Sequence, residues 1–230
     1  MNKLTGVKHI FFDLDHTLWD FDKNSALAFQ SIFEKNRIDV TVDDFLEVYI
    51  PINNEYWKMY REARVTKEQL RYGRLSKAFK ALRREIDDHL INRLSDDYID
   101  HLPLHNNLFD NALEILEELD KNYELHIITN GFEEVQHLKL KNSGIDKFFK
   151  TVTTSESAGV KKPDPKIFKE AMHKAGAHFS ESVMVGDTYE ADIVGALDVG
   201  MRAICFNYHK ADLDESILTI SELSALREFI

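Results

Sequence analysis

The chain has 230 residues, 43% hydrophobic and 30% charged, with a formal net charge of −11. That length holds one generous α/β domain or a core domain with a substantial insertion, and the acidity argues against polymeric nucleic acid as partner, a role that wants a basic face. It leaves room for a small phosphate ester, because a metal ion and one lysine reverse the field locally. Residues 1–7 contain no long apolar segment of the secretory kind, and no later run approaches the length of a membrane span. The expected setting is therefore the cytoplasm, with no membrane partner. The apolar run ending in Ile10-Phe11-Phe12 stops abruptly at Asp13 and Asp15. Such a run predicts a buried parallel strand, and residues two apart at its C-terminal end can serve one small site. In an open α/β sheet that end faces the ligand crevice. The plain alternative is a strand followed by a solvated acidic turn.

From about residue 19 to 104 the pattern is helical. Phe29, Ile32 and Phe33 form an apolar stripe, continued by Phe45, Val48, Tyr49, Ile52, Tyr56 and Tyr60, with Pro51 expected to break or kink that segment. Thr66-Lys67-Glu68-Gln69 has the form of a capping box, opening a helix with Leu70, Leu75, Phe79 and Leu82; Leu90, Ile91, Leu94 and Tyr98 mark another. These aromatics read as core. Arg61, Arg64, Arg71, Arg74, Arg83 and Arg84 read mostly as a solvated basic face, from which one or two can reach an anionic substrate.

Strands are then expected near 125–128, 151–153, 183–185 and 203–206, separated by helices, which predicts a doubly wound, mostly parallel sheet. Thr129-Asn130-Gly131 follows the first of these, where a hydroxyl and backbone N–H groups can hold a phosphate or simply make a turn. Lys161-Lys162-Pro163-Asp164-Pro165 opens a helix with Asp164 as N-cap and Pro165 at its first position; Pro163 pushes Lys162 toward an extended backbone. In Gly186-Asp187, a further buried strand ends in an acid, and Asp192 follows at or before the start of a helix, where the helix dipole alone would explain an acid. The single cysteine, Cys205, lies in an apolar run and reads as a core thiol, with no disulfide framework and no cysteine metal site.

Taken together, Asp13-Leu14-Asp15-His16-Thr17, then Thr129, then Lys162-Pro163, then Gly186-Asp187 with Asp192, resemble the four ordered motifs of the haloacid dehalogenase superfamily. The second acid of the first motif is typical of its phosphatases and mutases. The helical insertion resembles the four-helix cap of the subgroup with phosphoglycolate phosphatases, β-phosphoglucomutases and nucleotidases. More narrowly, the segment from Phe12 to Phe21, with Ile52-Asn53 and Trp57, is similar to house-cleaning pyrimidine 5′-nucleotidases, which act on standard and non-standard nucleoside monophosphates.

The resemblance implies a Rossmann-like core of residues 1–18 and 105–230 with a cap of residues 19–104. It further implies a Mg²⁺-dependent hydrolase of nucleoside 5′-monophosphates working through an aspartyl-phosphate. Asp13 would be the nucleophile and Asp15 the general acid and base. Asp13, the backbone carbonyl of Asp15, and Asp187 would hold the Mg²⁺, with Asp192 orienting a metal-bound water. Thr129, Asn130 and Lys162 would hold the substrate phosphoryl group; of Lys161 and Lys162, the position directly before Pro163 favours Lys162. A sugar phosphomutase, or a phosphatase of another small metabolite, is the alternative with the same core. A phosphorelay receiver also combines acids, a threonine and a lysine, but its acidic pair precedes the phosphoacceptor strand and no large cap follows.

Overall fold

The computed structural model describes residues 3–230; Met1 and Asn2, which open the expected first core segment, lie outside the described residues. The chain divides into two compact units, one of Asp22–His105 and the other of the segments on either side of it. The division falls after Phe21 because Trp19 bridges to Leu108 and the Asp20 N–H donates to the Asn107 carbonyl at 3.0 Å. The first strand, β1 (His9–Phe12), is buried along its whole length.

The helical unit consists of α1 (Phe21–Asn36) from Asp22 onward, α2 (Val42–Arg61), α3 (Lys67–Ala81) and α4 (Asp88–His101). Phe29 is at its centre, with the rings of Phe45, Tyr49 and Tyr98 4.5–4.7 Å away. The predicted capping box is formed: Thr66 Oγ1 accepts from the Gln69 N–H at 3.2 Å, and Gln69 Oε1 accepts from the Thr66 N–H at 2.9 Å. Two expectations change. Pro51 lies inside α2 without ending it, because Phe45, Tyr49, Ile52 and Tyr60 are all buried and their packing holds the helix on both sides of the exposed proline. Arg74 is buried rather than solvated; it donates to Asn53 Oδ1 at 2.9 Å, and its guanidinium sits over the Tyr98 ring at 5.0 Å.

The other unit is built on a six-stranded, all-parallel sheet. After β1 come α5 (Ala112–Leu119), β2 (Glu124–Thr129), α6 (Glu133–Asn142), β3 (Phe149–Thr154), α7 (Ser155–Ala158), α8 (Pro165–Ala175), β4 (Ser182–Gly186), α9 (Gly195–Asp198), β5 (Arg202–Phe206) and β6 (Thr219–Ile220). The strand order is β3-β2-β1-β4-β5-β6. The doubly wound, mostly parallel sheet expected from the sequence is thus present, with the short β6 added at one edge. The chain turns to one side of β1 for β2 and β3 and to the other for β4 and β5, so the switch point, with its crevice, lies at the C-terminal end of β1. Phe11, Ile128, Phe168, Met184 and Ile193 belong to one buried core cluster. Cys205 is buried on β5 as expected, and burial, then the charges of Asp187 and Asp192, push its thiol up to about 11. Among the described residues, no helix is long and apolar enough to cross a membrane.

Candidate active site

Asp13 continues the ladder beyond β1, its N–H donating to the Val185 carbonyl at 2.9 Å. Immediately afterward the chain coils: the Leu14 carbonyl accepts from the N–H groups of Leu18 at 3.0 Å and Trp19 at 2.9 Å. His16 adopts φ 62°, a left-handed conformation in which histidine is over-represented. The Asp13 carboxylate meets Lys162, whose Nζ donates to Asp13 Oδ1 at 2.6 Å and to the Ile128 carbonyl at 2.7 Å, and lies 2.6 Å from Asp192 Oδ1. Burial works against charge on this lysine, but Asp13 and Asp192 outweigh it and raise the ammonium above its ordinary value. Asn130 clasps the lysine backbone: its Oδ1 accepts from the Lys162 N–H at 2.8 Å and its Nδ2 donates to the Lys162 carbonyl at 3.0 Å. The Lys162-Pro163 bond is cis.

Carboxylate oxygens of Asp13, Asp187 and Asp192 lie within 4.8 Å of one another. Burial, then the charge of Asp192, pushes Asp13 up to about 7 against the pull of Lys162. Asp187 is likewise held well above its usual range, by burial and then by Asp192 and Asp13. Asp192 is fixed inside a short π-helical turn, Tyr189–Val194, and accepts from the Thr188 N–H at 3.0 Å. Gly186 is needed beside it, because a Cβ there would overlap the Asp192 carboxylate. Three buried or half-buried acids against one ammonium leave negative charge uncompensated, and an all-oxygen donor set of this kind fits a hard divalent cation such as Mg²⁺.

The Asp15 carboxylate keeps different company. Its Oδ2 accepts from Gln136 Nε2 at 3.0 Å and its Oδ1 from Lys139 Nζ at 2.5 Å. Gln136 Nε2 also donates to Thr129 Oγ1 at 2.7 Å, which ties Thr129 and Asp15 to one side chain. The Lys139 ammonium lies 4.2 Å from the Trp19 ring centroid and 5.2 Å from that of Phe21. Of the residues singled out from sequence, Asp13, Lys162, Asp187 and Asp192 thus form one group, Thr129 and Asp15 a second, and Asn130 supports Lys162 from behind. Gln136 and Lys139 were not anticipated. The available signal was faint: they are three apart on α6, on one face, and Gly131 leaves the space that the Gln136 side chain fills.

A parallel sheet with acids at the switch point, a buried lysine and a helical insertion after the first strand defines a class of hydrolase, and the whole-chain comparison agrees. Residues 10–206 match the haloacid dehalogenase-like hydrolase family, to which the chain belongs. The chain is 33% identical over 223 residues to pyrimidine 5′-nucleotidase YjjG of Escherichia coli (strain K12), covering 95% of this chain and 94% of the relative. It is also 34% identical over 220 residues to a glyceraldehyde 3-phosphate phosphatase of Pyrococcus abyssi (strain GE5 / Orsay), covering 89% and 83%. Among solved structures, that of the HAD-hydrolase YfnB from Bacillus subtilis bound to magnesium matches with a TM-score of 0.87 and 28% identity, covering 96% of this chain and 97% of that one.

Proposed function

We propose that this chain is a Mg²⁺-dependent phosphatase that hydrolyses nucleoside 5′-monophosphates, pyrimidine ones foremost, through an aspartyl-phosphate. The observation that carries the reading is the separation of two acids only two positions apart: Asp13 on the Lys162 ammonium, Asp15 on Gln136 and Lys139. This difference supports reading Asp13, beside a cation, as the nucleophile and Asp15, on other partners, as the proton-transfer group. Asp13, the Asp15 carbonyl and Asp187 would hold the Mg²⁺, with Asp192 beside them; the ion would supply the positive charge that offsets repulsion of a phosphate by an attacking carboxylate.

An Asp13 carboxylate oxygen attacks phosphorus while the P–O bond to the nucleoside breaks. Asp15, in its acid form, gives its proton to the departing alkoxide. Water then attacks the aspartyl-phosphate, Asp15 takes a proton from it, and the bond between phosphorus and the Asp13 oxygen breaks to release phosphate. Thr129, the main chain at Asn130, and Lys162 hold the phosphoryl oxygens, and Gln136 and Lys139 keep the Asp15 carboxyl oriented. Substrate selection is assigned to the helical unit.

The relation to a glyceraldehyde 3-phosphate phosphatase favours a second reading, in which the substrate is a small phosphorylated sugar. Phosphate release measured across nucleoside monophosphates, glyceraldehyde 3-phosphate and glucose 1-phosphate, with Mg²⁺ or with excess chelator, separates the two. The expected result is highest kcat/KM for a pyrimidine nucleoside 5′-monophosphate and none in chelator. Preference for glyceraldehyde 3-phosphate establishes the second reading; isomerisation of glucose 1-phosphate faster than hydrolysis of any nucleotide makes the chain a mutase.

A further inference from the structure

Four residues before Asp13, β1 carries a histidine that no step above uses. In the register of β1 against β2, His9 is level with Glu124 and Phe11 with His126. Side chains two apart on a strand share a face, so His9, Glu124 and His126 are gathered on one side of the sheet at its N-terminal end. His9 Nδ1 lies 3.2 Å from His126 Nε2 and 3.4 Å from Glu124 Oε2. All three donor atoms lie within 4.8 Å of one another.

Those spacings have a chemical meaning. Ligands about 2.0–2.1 Å from a tetrahedral zinc ion stand roughly 3.3 Å apart. His126 is also supported as a metal-bound imidazole would be: its Nδ1 lies 2.9 Å from Thr151 Oγ1, and in the tautomer that donates there the Nε2 lone pair faces His9. Its ring stacks on Phe11 at 4.6 Å, which restrains its rotation. The burial of His126, with the nearby His9 and Lys150, pushes it down to about 4, so the imidazole stays neutral. His9 and Glu124 border an open pocket of about 380 Å³ lined in part by Lys8, Asp120 and Lys150, with His126 buried behind His9, and Glu124 is itself exposed. Of the cations there, Lys8 is paired with Glu181 at 2.7 Å.

We propose that His9, Glu124 and His126 bind a divalent transition-metal ion of the Zn²⁺ type, with water completing the coordination. Two imidazoles and one carboxylate select such an ion over Mg²⁺, which prefers oxygen donors throughout. At about 3.3 Å per residue the site is roughly 13 Å along β1 from Asp13. An ion there clamps β1 to β2 and takes no part in the chemistry at Asp13.

The test is equilibrium dialysis of the intact protein against Zn²⁺ with Mg²⁺ in excess, together with the melting temperature with and without Zn²⁺. One Zn²⁺ per chain and a rise in melting temperature are expected, both retained in Asp187→Asn. His9→Gln and Glu124→Gln should each weaken Zn²⁺ binding by at least about tenfold and remove the thermal shift. Glu124→Gln, on an exposed side chain, decides the matter if His9→Gln does not fold. Absence of Zn²⁺ uptake, uptake lost in Asp187→Asn, or full uptake in Glu124→Gln overturns the proposal and leaves a hydrogen-bonded histidine pair.

Discussion

Asp13 and Asp15 are chemically identical side chains whose expected failures differ because their partners differ. Asp13→Asn removes the nucleophile and should abolish turnover, with no phospho-enzyme in rapid-quench measurements. Asp15→Asn should cost about 10²–10⁴-fold with a nucleotide. With p-nitrophenyl phosphate, whose leaving group hardly needs a proton, it should give a burst of nitrophenolate followed by a slow steady rate. Near-parental turnover in both variants would sink the assignment. Lys139→Met should lower kcat about tenfold with KM little changed, and should do so for nucleotides more than for p-nitrophenyl phosphate; equal losses on both substrates would make Lys139 merely structural. The Asp13 carboxyl also sets a pH dependence. Raised from 3.8 to about 7, it binds a proton more readily in the folded state, so its contribution to stability falls as pH rises through that interval. The rise in melting temperature on adding Mg²⁺ should therefore grow from low pH to above about 7, and Asp13→Asn should flatten that growth. At this scale the acids at strand ends were legible in the sequence, because an acid ending an apolar run has no packing reason to be there. Lys139 was not. A lysine on a helix ordinarily points to water, whereas here Lys139 is 2% exposed and neighbouring Leu138 is 46% exposed. The helix is phased by a carboxylate that only the folded sheet brings near.

Strands β1, β4 and β5 were the most readable elements, since burial on both faces makes each a near-continuous apolar run. β6 escaped notice because Thr219-Ile220 is too short to display any period. In the helical unit the caps were local and readable, as the Thr66–Gln69 box shows. The fate of Pro51 was not, because whether a proline ends a helix depends on tertiary packing on both sides of it. Pro51→Ala should restore a backbone donor within α2 and raise stability by up to about 3 kcal/mol in urea unfolding. A destabilised variant would mean that the proline ring itself is packed. The short π-helical turn around Asp192 likewise leaves no periodic signature, and it is this turn that brings Asp192 close under Gly186.

Across the whole molecule, a net charge of −11 coexists with a candidate site whose ammonium groups are buried: Lys162 and Lys139 are each 2% exposed. Composition said nothing about small anions, because the relevant charge is local and counted in single residues. The division into a sheet and a helical insertion was visible as a change of period along the chain, while the substrate was not, since selection rests on side-chain placement that periodicity does not encode. The sheet has a further consequence for how the protein is made. Among the described residues, β1 pairs only with β2 and β4, which begin at Glu124 and Ser182. During synthesis its apolar Ile10-Phe11-Phe12 must therefore leave the ribosome unpartnered, while the whole of Asp22–His105 can emerge and build its own aromatic core. Ribosome-bound chains stalled beyond residue 140 should show the helical segment resisting protease while β1 is still cut or held by a chaperone. The strand that leads into Asp13 is thus made well before either of the strands that shelter it.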